Sequence, residues 1–354
     1  MRPAAPACHV FLRCLGVLLG TTLLMVIALA PAAAQKGDLE VIVKRYDQLF
    51  DAGNYPAALV EAQKLEAGVK ARFGVNNAIY GVALRSLANV YFKQGKYADA
   101  EGLYKRVLAI GEKALGTDDA ALTLRNLAGV YKEQGKYSDA EGVYKRALAI
   151  AEKAPGKDHT DVAENLYSLA ILYSRQGKYA DAEELYRRAL PIYEKLGADD
   201  PKVANVFVSL AIASAFQGKY ADAELRYKRA LAIYEKLGAD HPSVAYALNG
   251  LAELYSLQGK YSEAEGLLKR SLAIREKALG ASHPDVAQTL RPLAGVYRDQ
   301  GKYAEAEGLY KRALAIQENA LGADHIDVAV TLNNLANVYD DQGKHADGAR
   351  LHQR

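Results

Sequence analysis

The chain has 354 residues, of which 50% are hydrophobic and 25% charged, the proportions of an ordinary folded soluble protein. A formal charge of +3 gives no electrostatic reason to expect nucleic acid or a strongly acidic partner. Length alone suggests two or three domains, but internal repetition overrides that count, because stacked repeats form one elongated unit of any length.

The first 34 residues differ from the rest. Arg2 and Arg13 precede an apolar run from Leu15 to Ala30, followed by Ala32 and Ala34 in an A-x-A arrangement. That is the pattern of a secretory signal cleaved after Ala34. The run is shorter than the roughly 20 residues needed to span a bilayer, and an uncleaved inner-membrane anchor is the alternative. The expected location is the bacterial periplasm or the extracellular space, with no stable membrane insertion of the mature chain. Cys8 and Cys14 both lie in this segment, so a chain beginning at Gln35 carries no thiol and no disulfide.

From residue 35 the sequence repeats itself. "QGKYADAEGLYKRVLAI" from Gln94 returns in near copies from Gln134, Gln176, Gln217, Gln258 and Gln300. The marker glycines Gly53, Gly95, Gly135, Gly177, Gly218, Gly259, Gly301 and Gly343 are separated by 40 to 42 residues. A period this regular predicts a stacked array. Residues 35–77 form a divergent first unit that keeps Gly53, Tyr55 and Ala58, as terminal capping units do. Residues 78–354 hold seven further units, the last cut short in a polar helix, "HADGARLHQR". Before Gly95, the residues Leu84, Leu87, Ala88 and Tyr91 follow i, i+3, i+4, i+7, one apolar face of a helix. After it, Ala100, Leu103, Tyr104, Val107 and Leu108 continue the rhythm, out to Ala114 and Leu115. Gly116, Gly156, Gly197, Gly238, Gly280 and Gly322 end the second helices where a left-handed residue is wanted. The next helices open at Pro201, Pro242 and Pro284, where a missing N–H costs nothing. His159, His241, His283 and His325 recur at these starts and read as turn and cap residues, since equivalent positions on stacked helices sit roughly 8–10 Å apart, too far to share a metal. Pro292 falls inside a first helix, and a bend is expected there. Paired alanines, such as Ala88 with Ala100, let the two helices of a hairpin approach closely. A single hairpin cannot bury its own apolar face, so each copy is the wall for the next.

"LANVY…GKYADAEGLYKRVL" resembles the tetratricopeptide repeat, with Leu87, Ala88, Tyr91, Ala100 and Tyr104 at that family's packing positions. The roughly 42-residue period and "LNNLANVY" from Leu332 are most similar to the kinesin light chain subtype. The resemblance implies an all-α, right-handed superhelical solenoid whose first helices line a concave groove, and binding of short peptide segments there. Two departures set aside the motor-adaptor role: no long heptad segment for pairing with a motor subunit, and an export signal. The paired asparagines of "NNLA" stand only at Asn333 and Asn334.

The groove-facing positions are those on the first helices that the packing rhythm leaves free, and they include Arg85, Asn89, Phe92, Arg125 and Lys132, then Tyr167, Ile171, Val208, Ile212 and Phe216, then Tyr246, Asn249, Glu253, Arg291 and Arg298, and finally Asn333, Asn337 and Asp340. They read as an apolar centre flanked by guanidinium groups able to hold carboxylates; burial of the middle residues against one another is the competing reading. The basic pairs from Lys105-Arg106 to Lys311-Arg312 resemble a ladder for anionic polymer. A glutamate stands four residues before each first member, however, at Glu101, Glu141, Glu183, Glu224, Glu265 and Glu307, which favours a self-neutralised face. No phosphate loop, nucleophile elbow, paired-carboxylate constellation or metal-ligand spacing is present, and neither catalysis nor a cofactor is expected. The expected role is a scaffold for protein or peptide. The alternatives are a spacer whose repeat ends self-associate into homo-oligomers, and an envelope-polymer binder along the basic face.

Overall fold

The computed structural model of the protein describes residues 36–110, 117–153 and 160–353. The predicted signal segment, the cap positions Gly116 and Gly156, the end of the second unit's second helix and His159 lie outside these residues. The described residues contain sixteen α-helices and no strand. They fall into two compact units that divide after Ile192.

The first unit contains α1 (Lys36–Asp51), α2 (Tyr55–Phe73), α3 (Ala78–Lys93), α4 (Tyr97–Ala109), α5 (Thr117–Glu133), α6 (Tyr137–Lys153), α7 (Thr160–Arg175) and α8 (Tyr179–Glu194), whose last residues belong to the second unit. The second unit continues with α9 (Pro201–Phe216), α10 (Tyr220–Lys236), α11 (Pro242–Leu257), α12 (Tyr261–Leu279), α13 (Pro284–Asp299), α14 (Tyr303–Leu321), α15 (Ile326–Asp341) and α16 (His345–Gln353). Odd-numbered helices open a hairpin and even-numbered helices close it. Within each unit, the closing helix packs on the next opening helix, and successive opening helices also touch.

The marker glycine makes the turn. Gly95 has φ +74°, and the other seven markers lie between +73° and +77°. One residue later, the Lys96 N–H reaches back to the Tyr91 carbonyl at 2.9 Å, a bond repeated from Lys136 to Tyr131 and from Lys302 to Tyr297. This is the Schellman closure, in which a left-handed residue lets the backbone cap the preceding helix and reverse. The opening helices start on caps supplied by side groups. His241, His283 and His325 each accept a backbone N–H at Nδ1, from Ser243, Asp285 and Asp327 at 3.2, 3.2 and 3.1 Å. Asp200 does the same for Lys202. The histidines at described helix starts therefore serve the backbone.

The core shows why the units recur. Ala88, Ala100 and Tyr104 of the second hairpin form one buried cluster with Leu127 and Val130 of the third. Ala128, Ala140 and Tyr144 repeat this with Leu169 and Leu172, and Ala294, Ala306 and Tyr310 with Leu335 and Val338. Within each unit, these hairpin interiors are thus completed by the successor's first helix. At Gly250 the fit is closest: a Cβ there would lie 2.5 Å from the Tyr227 ring.

The helix containing Pro292 runs unbroken from Pro284 to Asp299. Proline leaves the carbonyl of Gln288, four residues earlier, without its helical donor. Asn249 of the preceding hairpin supplies one, its Nδ2 donating to that carbonyl at 3.4 Å.

Candidate functional site: the open edge of the first helices

Through the middle turns of most opening helices, the residues that escape full burial lie along one edge, spaced three and four apart. On α5 they are Leu122, Asn126, Gly129 and Glu133, and on α7 they are Glu164, Ser168, Ile171 and Arg175. In the second unit, α9 exposes Asn205, Ser209, Ile212 and Phe216, and α11 exposes Tyr246, Asn249, Glu253 and Leu257. On α13 they include Gln288, Arg291, Gly295 and Asp299, and on α15 Val330, Asn333, Asn337 and Asp341. This is the helical rhythm of a packed element with one face left over. On α3 the edge is closed as far as Asn89.

Of the residues expected to line a groove, Ile171, Ile212, Phe216, Tyr246, Asn249, Glu253, Arg291, Asn333 and Asn337 stand on this edge. Arg85, Asn89, Arg125, Tyr167 and Val208 do not stand open; all five are buried. Arg85 is fully enclosed, with Nη1 2.8 Å from Asp119 Oδ1 on α5. Arg125 places Nη2 2.6 Å from Glu164 on α7. Arg291, though partly open, has Nη1 3.3 Å from Asp327 on α15. The guanidinium groups therefore hold carboxylates of the same polypeptide, tying α3 to α5, α5 to α7 and α13 to α15. Asn89 accepts the Tyr104 hydroxyl at 2.6 Å and the Asn126 amide at 3.2 Å. Tyr167 packs on Tyr186 with ring centroids 5.3 Å apart. Lys132 lies 3.2 Å from Glu133, which also takes Arg175.

The opposite side is a seam built mainly by the closing helices. The predicted helix pairs form, with Lys105 2.7 Å from Glu101, Lys269 2.6 Å from Glu265 and Lys311 2.7 Å from Glu307. The sequence pattern does not reveal the second half of this arrangement. Glu101, Glu265 and Glu307 also grip the following hairpin's turn: Glu265 pairs with Lys302 at 3.2 Å and accepts the Tyr297 hydroxyl at 3.3 Å. Lys269 and Lys302 both approach the Tyr297 ring, at 5.8 and 5.1 Å. Glu307, Lys311, Tyr339 and Lys344 repeat the group. Hydrogen bonds from Lys105, Lys269 and Lys311, each the largest influence, hold Glu101, Glu265 and Glu307 down to about 2. Of the second members of the basic pairs, Arg188 and Arg270 reach Glu152 and Glu235, and Arg312 reaches Glu276. The ladder is thus widely neutralised.

Among the described residues, no group of three or more His, Cys, Asp or Glu side chains could hold a metal ion, and no helix is long and apolar enough to cross a membrane.

Stacked helical hairpins with a left-handed glycine turn and paired alanines define an α-helical repeat protein. The sequence profile described as tetratricopeptide repeat matches residues 79–153, 119–195, 202–277 and 279–354, and the chain belongs to that family. Similar solved structures include BtubC (BKLC) from P. vanneervenii, at 28% identity over 65% of this chain and 91% of that one, with a TM-score of 0.54. The kinesin light chain TPR-like repeats of Podosopora anserina align at 27% identity over 56% of this chain and 94% of theirs, with a TM-score of 0.48. A Rap protein solved with Competence and Sporulation Factor shares the fold at 17% identity and a TM-score of 0.58, over 90% of this chain and 96% of that one. No curated protein matches the chain.

Proposed function

We propose that the protein is an exported scaffold that holds extended polypeptide along the open edges of its first helices. The observation that carries this reading is the contrast between the two sides. The closing-helix seam repeats nearly one residue set, with Ser214 and Arg187 as departures, and pairs its charges. The first-helix edge changes composition from hairpin to hairpin and leaves apolar groups open, among them Ile212, Phe216 and Leu257. Exposed apolar groups beside polar ones are a common form of protein-binding surface. A varied edge suits side-chain discrimination along a polypeptide better than it suits a uniform polymer.

The test is affinity capture with the protein from Gln35, in wild type and in an Ile171→Asp, Ile212→Asp double variant. The wild type is expected to retain a partner that the double variant loses, with helicity by circular dichroism unchanged. Retention by both, or unfolding of the variant, rules out the edge as the binding surface. Export is checked separately by fusing alkaline phosphatase after Gln35; an inactive fusion in intact cells means the leader does not export.

A further inference from the structure

In the second unit the seam does not tell the hairpins apart. Tyr255, Tyr297 and Tyr339 donate to Glu224, Glu265 and Glu307 at 3.0, 3.3 and 3.3 Å, so one contact joins α10 to α11, α12 to α13 and α14 to α15 alike. By these residues alone, α10 would accept α13 or α15 as readily as α11. Exchanges of this kind are the characteristic misassemblies of repeat proteins.

One buried level of each junction differs every time. It joins the closing-helix residue sixteen places after a marker glycine to the opening-helix residue twelve places before the next marker. The two are Tyr234 and Ala247 between α10 and α11, Arg275 and Thr289 between α12 and α13, and Gln317 and Thr331 between α14 and α15. All of them are buried. Arg275 donates from Nη1 to Thr289 Oγ1 at 2.9 Å and to the Asp285 carbonyl at 2.6 Å, and the Asp285 charge offsets part of the cost of its burial. The Thr331 hydroxyl donates to Gln317 Oε1 at 2.6 Å. Tyr234 asks no polar group of α11, because its hydroxyl donates to Asn205 of its own hairpin. Ala247 offers it only a methyl group.

Exchanging partners spoils each match. Arg275 or Gln317 against Ala247 loses the hydroxyl that it meets in its own junction, and a buried polar group left unpaired is costly. Tyr234 against Thr289 or Thr331 presses its ring on a larger side group, and overpacking is also costly.

We propose that these buried pairs are the addresses of the array, fixing which opening helix each closing helix takes, both within the chain and against a second copy of it. The seam supplies adhesion common to all copies, and the buried level supplies the choice. Buried polar groups set register in coiled coils in the same way.

The test writes one address twice. In the full-length protein, Gln317→Tyr with Thr331→Ala gives the α14–α15 junction the pair found between α10 and α11. A tyrosine hydroxyl at 317 has a polar neighbour in Gln288, which stands on α13 where Asn205 stands on α9. Each single substitution is expected to lower the folding constant in urea about tenfold. The double variant is expected to lose less than the two losses combined. After unfolding in urea and dilution, the wild type is expected to return to its starting elution volume. The double variant is expected to regain its helicity by circular dichroism while about half or less returns to that volume. The remainder elutes as larger assemblies in which α14 of one copy holds α11 of another. Losses that combine in full, a double variant that refolds with wild-type recovery, or a wild type that itself fails to return overturns the inference.

Discussion

The seam and the open edge belong to the same hairpins but obey different rules. At the seam, Glu265 with Lys269, Tyr297 and Lys302 has the same members, in the same order, as Glu307 with Lys311, Tyr339 and Lys344. On the edge, the position of Asn89 is taken by Gly129, Ile171, Ile212, Glu253, Gly295 and Asn337 in turn. A position that must meet the next hairpin's turn varies little, the departures being Ser214 among the tyrosines and Arg187 among the lysines. A position that meets no copy is free to vary, and that freedom is what a recognition surface requires.

The sharpest way to break the comparison is to remove a tie that crosses between opening helices. Asp119→Ala leaves Arg85 enclosed without its partner, and losing one member of a buried pair costs about 3–5 kcal/mol. A large fall in the urea midpoint of the first unit is expected; an unchanged midpoint means Arg85 finds solvent or another acid. Next comes Gly250→Val, which drives a side group into the Tyr227 ring. Overpacking of this kind costs about 1–3 kcal/mol, read as a lowered melting temperature. Gly301→Ala, at φ +77°, is expected to cost about 1–2 kcal/mol through left-handed strain.

Acid probes the seam. Glu101, Glu265 and Glu307 have folded pKa values of about 2, below the ordinary glutamate value of roughly 4.3. Their contribution is therefore complete above that ordinary value and is lost as pH falls from there through about 2. Thermal stability followed from pH 6 to pH 2 is expected to decline over that window, and less steeply in Glu307→Gln than in wild type. An equal slope means the seam carries no such linkage. The smallest effect belongs to the edge: Asn337→Ala is expected to shift stability by no more than about 0.5 kcal/mol, and a larger loss in urea unfolding places it in the core.

The turn glycines and the histidine caps were legible in the sequence because each depends on neighbours within one turn. Gly95 needs only Tyr91 and Lys96, and His283 only Asp285. The open edge was half legible. Periodicity separated Ile171 and Ile212 from the hairpin interior, but it assigned Arg85, Asn89, Tyr167 and Val208 to the same free surface. Their burial comes from contacts beyond the side of the helix that the rhythm marks as packed. A signal was present: the acids that meet Arg85, Arg125 and Arg291 recur about one repeat later, at Asp119, Glu164 and Asp327. The glutamates of the seam read as partners of the lysine one turn away, because their second partners lie in the next hairpin.

Pro292 and Asn249 carry a lesson about inheritance. The proline vacates a carbonyl, and an amide on the preceding hairpin answers it. Tandem arrays gain and lose copies by unequal exchange between near-identical segments. An exchange that inserted or removed one copy between these two would leave the carbonyl facing a stranger, so this pair marks a junction at which the array resists changing its length.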